Sequence, residues 1–360
     1  MKKAHLFLLS LIIFLFWNNG LTGQEIPLRF EHLSTRDGLS NNRVTSIFKD
    51  KLGYTWLGTI SGLNRYNGYD FTVFKYESGN RNSINNNTII WIAEGPSDNL
   101  WIKTGNGLQG FNIYSERFVD VSRLLTDAHI DIWNVNKIIK DQNQNYWLAV
   151  QDHGVYKIVN EDSVMAVNEG ENANLTDISF DLSGNLMVLH DDGKIQNINI
   201  NTHKVIGTWY LKGLEKKSYT LNFFIDGSGS LWIWSKSIPI GLFYYDQIGS
   251  DPRIIGKKEL SSILVSEVVQ DEVGNIIVAT DHGGITIISK SDWTYQNYRN
   301  NITDDKSLSH DSAISAYRDV DGVIWIGTNK GGVNFYHPKK NYFKYFYYQG
   351  DDPSIHNDIK

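Results

Sequence analysis

The sequence predicts an all-β fold, a seven-bladed β-propeller of four-stranded antiparallel blades, on three observations. First, the composition is that of twisted sheets joined by glycine turns, with 11 Trp, 19 Tyr, 16 Phe and 31 Gly against only 6 Pro. Second, one pattern recurs along the chain. Its tryptophan slot is filled in turn by Trp56, Trp101, Trp147, Met187, Trp232, Ile277 and Trp325, at intervals of 45, 46, 40, 45, 45 and 48 residues. A period near 45 matches four strands of five or six residues with their turns. Third, no segment sustains a helical period, which excludes helical repeat arrays.

The first element is not part of the propeller. Lys2 and Lys3 precede an apolar run over residues 6–17 and a small, polar stretch ending at Gly23, the layout of a secretory signal peptide over residues 1–23. The 12-residue run reaches only about 18 Å as a helix, short of a hydrocarbon core of roughly 30 Å. Export to the periplasm is therefore expected, with the propeller over residues 24–348. The absence of cysteine excludes disulfides, thiolate metal sites and a cysteine nucleophile. After residue 23 there are 32 basic and 40 acidic side chains, a balance that argues against nucleic acid as a partner.

The clearest copy of the repeat spans residues 47–66 and sets the strands of a blade. Strand A is expected at Val44–Lys49, strand B at residues 54–59, strand C at residues 63–67 and strand D at residues 71–76. Between A and B, Asp50 and Gly53 make the turn: the carboxylate accepts from turn amides and glycine tolerates the positive φ that closes it. Trp56 then presents a large ring to the neighbouring sheet, worth roughly 2–3 kcal/mol on burial. The last copy repeats this with Asp319, Gly322 and Trp325, and Trp101, Trp147 and Trp232 fill the same structural slot. The second copy has Gly95 and Asp98 in the Asp and Gly slots, and the third has Gln144 for the glycine. Residues 28–33 and 342–348 both read as D strands, eight for seven blades, so one of them is expected to complete the last blade.

The string from Asp50 to Gly68, the Asp37-Gly38-Leu39-Ser40-Asn41-Asn42 segment before strand A and residues 319–336 closely resemble the two-component regulator propeller repeat. The resemblance extends over residues 29–360. It implies the periplasmic sensor region of a bacterial hybrid two-component system, whose members commonly add a second propeller, a membrane helix, a histidine kinase and a DNA-binding domain, and many of which respond to oligosaccharides. It implies as partners an oligosaccharide ligand, the second propeller and transmembrane kinase parts of a full-length protein, and a homodimer. Residues 349–360 read as the truncated start of an eighth repeat, because Ser354-Ile355-His356-Asn357-Asp358 matches the segments at Ser83 and Ser307.

Four antiparallel strands put the A–B and C–D turns on one face and the B–C and D–A connections on the other. The second face carries Asp152, His153, Asp281, His282, Asn329 and Lys330 in B–C loops, Trp234 at the fifth B–C loop, and Trp133 in a D–A connection. Planar side chains that stack on a sugar ring, with polar groups that converge on its hydroxyls, are what an oligosaccharide site requires. These eight residues are the candidate ligand-binding set. No catalytic residue, cofactor or metal site is assigned. Asp152-His153 and Asp281-His282 recur at one repeat position but three blades apart, and no nucleophile elbow, phosphate loop or zinc spacing occurs. The alternatives are a glycan-active propeller enzyme, which needs two carboxylates about 5–9.5 Å apart, and a protein-binding scaffold.

Overall fold

The computed structural model describes residues 28–160, 163–167, 174–214 and 220–338. Among them, 28 strands form seven separate four-stranded antiparallel sheets. The signal-peptide segment, residues 342–348 and the tail from 349 lie outside the described residues, and no helix among those described is long and apolar enough to cross a membrane.

Blade 1 is Val44–Lys49, Thr55–Thr59, Gly62–Tyr66 and Phe71–Phe74, so the expected strands appear with ends moved by one or two residues. Strand A lines the ring axis and D lies outermost. Strand B lies between neighbouring blades and is buried along its whole length in blades 1, 4, 5, 6 and 7, which is why it reads as a continuous apolar run rather than an alternation. Among the described residues there are seven clusters of buried apolar side chains, one between each pair of neighbouring blades. The repeat tryptophan always enters the cluster shared with the following blade: Trp56 with blade 2, Trp101 with blade 3, Trp147 with blade 4, Trp232 with blade 6, and Trp325 with blade 1.

In the copies that carry both Asp and Trp, the Asp is more than a turn residue. Asp50 Oδ1 accepts from the amides of Leu52 and Tyr54 at 2.9 and 3.0 Å, while Oδ2 accepts from Trp56 Nε1 at 2.7 Å. Asp141 with Trp147, Asp226 with Trp232 and Asp319 with Trp325 repeat the indole bond at 3.0, 2.8 and 3.0 Å. One buried carboxylate thus closes the turn and fixes the ring that fills the next interface. Where the tryptophan is missing, as at Ile277, the free oxygen of Asp271 takes Asn275 Nδ2 instead, at 3.0 Å. In blade 2 Ser97 and Asp98 adopt positive φ, and in blade 3 Gln144 does so in place of glycine.

The N-terminal strand closes the ring. Glu31–Leu33 pairs antiparallel with Val333–Tyr336 and becomes the outer strand of blade 7, with Leu33 opposite Val333. Phe30, 1% exposed, anchors it against Tyr298 and Tyr336 at ring centroids of 6.3 and 5.5 Å. The chain's first described segment thereby completes the sheet begun by its last.

Candidate functional site

Strand A carries the site. In six blades it contains a β-bulge at its second residue, which shifts register between Val44 and Ser46, Ile89 and Trp91, Val135 and Lys137, Leu175 and Asp177, Val265 and Glu267, and Ala313 and Ser315. A bulge re-aims the side chain that follows it. The residues after the bulge include Trp91, Lys137, Asp177 and Glu267, a run of polar and aromatic groups around the axis. Together with Phe223 and Phe224 of blade 5, they line an axial cavity of about 780 Å³ formed by the A strands of blades 2 to 6.

Two more side chains reach that cavity from a slot the fold otherwise keeps mostly small. Two residues after the repeat tryptophan, the seven blades have Gly58, Lys103, Ala149, Leu189, Trp234, Ala279 and Gly327. The slot faces the start of the next A strand: a Cβ on Gly58 would lie 2.6 Å from Ile89 Cγ2, and one on Gly327 would lie 2.6 Å from the Val44 carbonyl oxygen. Blades 2 and 5 put long, polar-tipped residues there, and both line the cavity. Lys103, 6% exposed, donates to the carbonyls of Ile132, Trp133 and Val135 at 2.9, 2.7 and 3.3 Å. Burial pushes its ammonium down to about 8, with Asp131 acting the other way. Its neighbours in the cavity are ion-paired across blades: Lys137 Nζ with Asp177 at 2.7 Å, and Lys236 Nζ with Glu267 at 2.9 Å.

The eight candidate residues do not converge on one point. Trp234 lies within strand B, at Leu231–Ser235, and not in a loop. Its ring is 2% exposed and packed into the cluster between blades 5 and 6, so only its edge is available to the cavity. The slot it fills lies inside strand B in every blade, one residue before the strand ends. Asp152 lines a recess of about 250 Å³ that shares Asn136, Gln151, Thr176 and Thr220 with the axial cavity. Also in that recess is Asp191, whose carboxyl is raised by burial and by the adjacent Asp192. His153 is an exposed loop residue. Trp133 is 50% exposed on the connection between blades 2 and 3, with Lys103 Nζ 5.9 Å from its ring centroid.

Asp281 accepts from the Ser312 hydroxyl and lies 3.0 Å from His282 Nδ1, which ties a B–C loop to the following D–A connection. The Asn329 amide donates to the Ser312 carbonyl at 2.9 Å, and Lys330 is exposed. None of these four lines the axial cavity or the recess. Among the described residues no cluster of His, Cys, Asp and Glu is arranged to hold a metal ion. Trp91, Lys103, Lys137, Asp177, Asn222, Phe223 and Glu267 are the cavity residues that loop-based reading missed. The signal was in the sequence: the third residue of strand A and the slot after the tryptophan are where the copies diverge most in size and charge.

Three comparisons bear on this arrangement. The two-component regulator propeller family matches residues 38–61 and 307–330. Over 75 residues, 21% of the chain, the sequence is 35% identical to part of histidine kinase P4 of Formosa agariphila, 6% of that protein's length. The fold superposes on the extracellular domain of a hybrid two component system from B. thetaiotaomicron with a TM-score of 0.69, at 24% identity over 86% of this chain and 42% of that one. The extracellular domain of a one component system from the same organism gives 0.65, at 18% identity over 86% and 40%. Streptogramin B lyase shares the propeller at 0.59 and 12% identity, over 85% of this chain and 97% of that one. The chain spans about two fifths of the length of the two extracellular domains. It is a seven-bladed propeller that matches the two-component regulator propeller family at residues 38–61 and 307–330 and has the fold of the extracellular domains of a hybrid two component system and a one component system.

Proposed function

We propose that this chain is the ligand-sensing propeller of a periplasmic two-component sensor, that it binds an oligosaccharide at the axial cavity and the loops around it, and that it performs no chemistry on it. The observation that carries the reading is the cavity itself. A space of about 780 Å³ is lined by Trp91, Phe223 and Phe224 together with Asn136, Gln151, Thr176 and Asn222, the mixture of planar apolar and hydrogen-bonding groups that sugars require. The exposed ring of Trp133 and the Asp152 recess extend this surface outward. Asp281, His282, His153, Asn329 and Lys330 belong to the same face and would meet the far residues of a longer glycan. The two carboxylates of the cavity, Asp177 and Glu267, are already paired with lysines, which leaves neither set up as a proton donor. A signal would arise when binding biases the arrangement of this propeller relative to a following one or to a second copy, by no more than the ligand's differential affinity for the two arrangements.

The test is a thermal-shift screen of residues 24–360 against defined oligosaccharides, with the products analysed after incubation. A ligand that binds only the folded state at a hundredfold excess over Kd adds about 2.7 kcal/mol of stability, enough to raise Tm by several degrees. Intact glycan and a raised Tm are expected. Cleaved glycan would overturn the non-catalytic part. A shift seen only when the chain is extended into a following propeller would move the site to the junction of the two.

A further inference from the structure

Blade 5 departs from the other six at the wall of the axial cavity. Its A strand has no bulge, so its second residue, Asn222, stays in register directly opposite Trp234. In the bulged blades the third residue of strand A faces the same slot, as Trp91 faces Lys103 and Glu267 faces Ala279. Directly opposed residues on one face have Cβ atoms about 4.5–5.5 Å apart, close enough for one small group to touch both side chains. Both residues line the cavity. Trp234 Nε1 and Asn222 Oδ1 are enclosed, and neither has a hydrogen-bond partner among the described residues.

A buried donor and a buried acceptor left open side by side are costly, and native folds rarely keep them without a reason. Here the pair is complementary to one chemical group. An indole N–H only donates and an amide oxygen only accepts. A carboxylate would satisfy the indole but set its lone pairs against Asn222 Oδ1. An ammonium would satisfy Asn222 and confront the indole N–H. A hydroxyl does both with a single oxygen. Because the Trp234 ring is packed between blades 5 and 6, its role at the cavity is that of a fixed donor and not a stacking platform, which is left to the partly exposed ring of Trp91 across the axis.

We propose that Asn222 and Trp234 form a hydroxyl-recognition subsite in the axial cavity, in which one hydroxyl of a polyhydroxylated ligand accepts from Trp234 Nε1 and donates to Asn222 Oδ1. The proposal rests on the reading of the cavity as a ligand site and adds which blade reads the ligand and through what group.

The test follows the indole N–H resonance of Trp234 in ¹⁵N-labelled full chain, assigned by its loss in Trp234→Phe. The probes are methyl α- and β-glucopyranoside, methyl α-mannopyranoside and methyl β-galactopyranoside, with acetate as the anionic control. A saturable shift of this resonance with at least one glycoside and none with acetate is expected. Asn222→Leu should weaken that glycoside by about tenfold, as loss of one buried hydrogen bond does. Asn222→Leu also keeps the comparison available if Trp234→Phe fails to fold. Silence of the resonance toward all four glycosides, or a response to acetate, overturns the subsite. If oligosaccharides raise Tm equally in wild type, Trp234→Phe and Asn222→Leu, the sensing function stands and the subsite falls. If a glycoside saturates the indole shift but no oligosaccharide raises Tm, the subsite stands and the proposed function falls.

Discussion

At the residue scale, the buried carboxylate that caps a turn and also holds the tryptophan of strand B is the smallest unit of the architecture, and blade 2 shows what happens without it. Gly95 stands where the other blades have Asp, and Trp101 Nε1 is buried with no partner among the described residues. The ring has moved into the vacated space, since a Cβ on Gly95 would lie 2.2 Å from Trp101 Cδ1. Gly95→Ala should therefore destabilise by about 1–3 kcal/mol, the cost of overpacking a well-filled core. Thermal denaturation checks this, and a neutral effect would mean that the ring can return to the position it has in other blades. Trp101→Phe should cost less than Trp147→Phe, because only Trp147 loses a bond to a carboxylate. The repeated Asp, Gly and Trp were legible because each is a side-chain type at fixed spacing. The bond from Trp back to Asp was not, because six residues separate them and only the A–B hairpin folds one over the other.

At the scale of the element, neighbouring blades are joined by apolar clusters and by ion pairs to the carboxylates of the A–B turns. Lys290, on blade 6, donates to Asp226 on blade 5 at 2.6 Å, and Lys49 on blade 1 reaches Asp319 on blade 7 at 3.2 Å. Burial of Asp226 opposes its ionisation, but hydrogen bonds from Lys290, Ser228 and Trp232 outweigh it and hold the carboxyl below the ordinary carboxylate range. A depressed folded-state value stabilises above the unfolded value near 3.8, and that stability is lost as pH falls through the folded one. Lys290→Met should thus lower Tm at neutral pH and narrow the gap to wild type as pH falls below about 4. Lys103 works in the opposite sense. The unfolded lysine titrates near 10.5 and the folded one near 8, so the folded state holds fewer protons between those values. The cost of burying its charge is full below pH 8 and shrinks as pH rises toward 10.5. Relative to Lys103→Met, wild type should gain stability between pH 7 and 10, and a constant difference in Tm would show that the ammonium stays charged on its three carbonyls. Strand identities were readable from alternation and turn residues. The bulge in strand A was not, because it changes where a side chain points without changing composition, and it is the bulge that aims Trp91, Lys137, Asp177 and Glu267 at the axis.

At the scale of the whole molecule, the ring is closed by three residues from the other end of the chain. The sequence offered D-like strands at both ends and no local feature to choose between them, because strand pairing across some 300 residues leaves no mark on either partner alone. The structure chooses the N-terminal one, and the choice has a mechanical consequence. Without Glu31–Leu33, the edge of Val333–Tyr336 is left without its neighbour and Phe30 leaves the cluster shared by blades 6 and 7. Phe30→Ala alone should cost about 3–5 kcal/mol, the usual price of emptying a buried aromatic site. Removal of every residue through Leu33 should do more than add to that figure. A closed ring unfolds as one unit, since each blade is held from both sides, whereas an open array of blades contacts only neighbours and can unravel from an end. The truncated chain is therefore expected to melt at lower temperature and over a broader range, with blades 6 and 7 losing amide protection before blades 2 to 4 in hydrogen exchange. A single transition of unchanged width would show that the N-terminal strand is an ornament to blade 7 and that the remaining strands hold the ring closed without it.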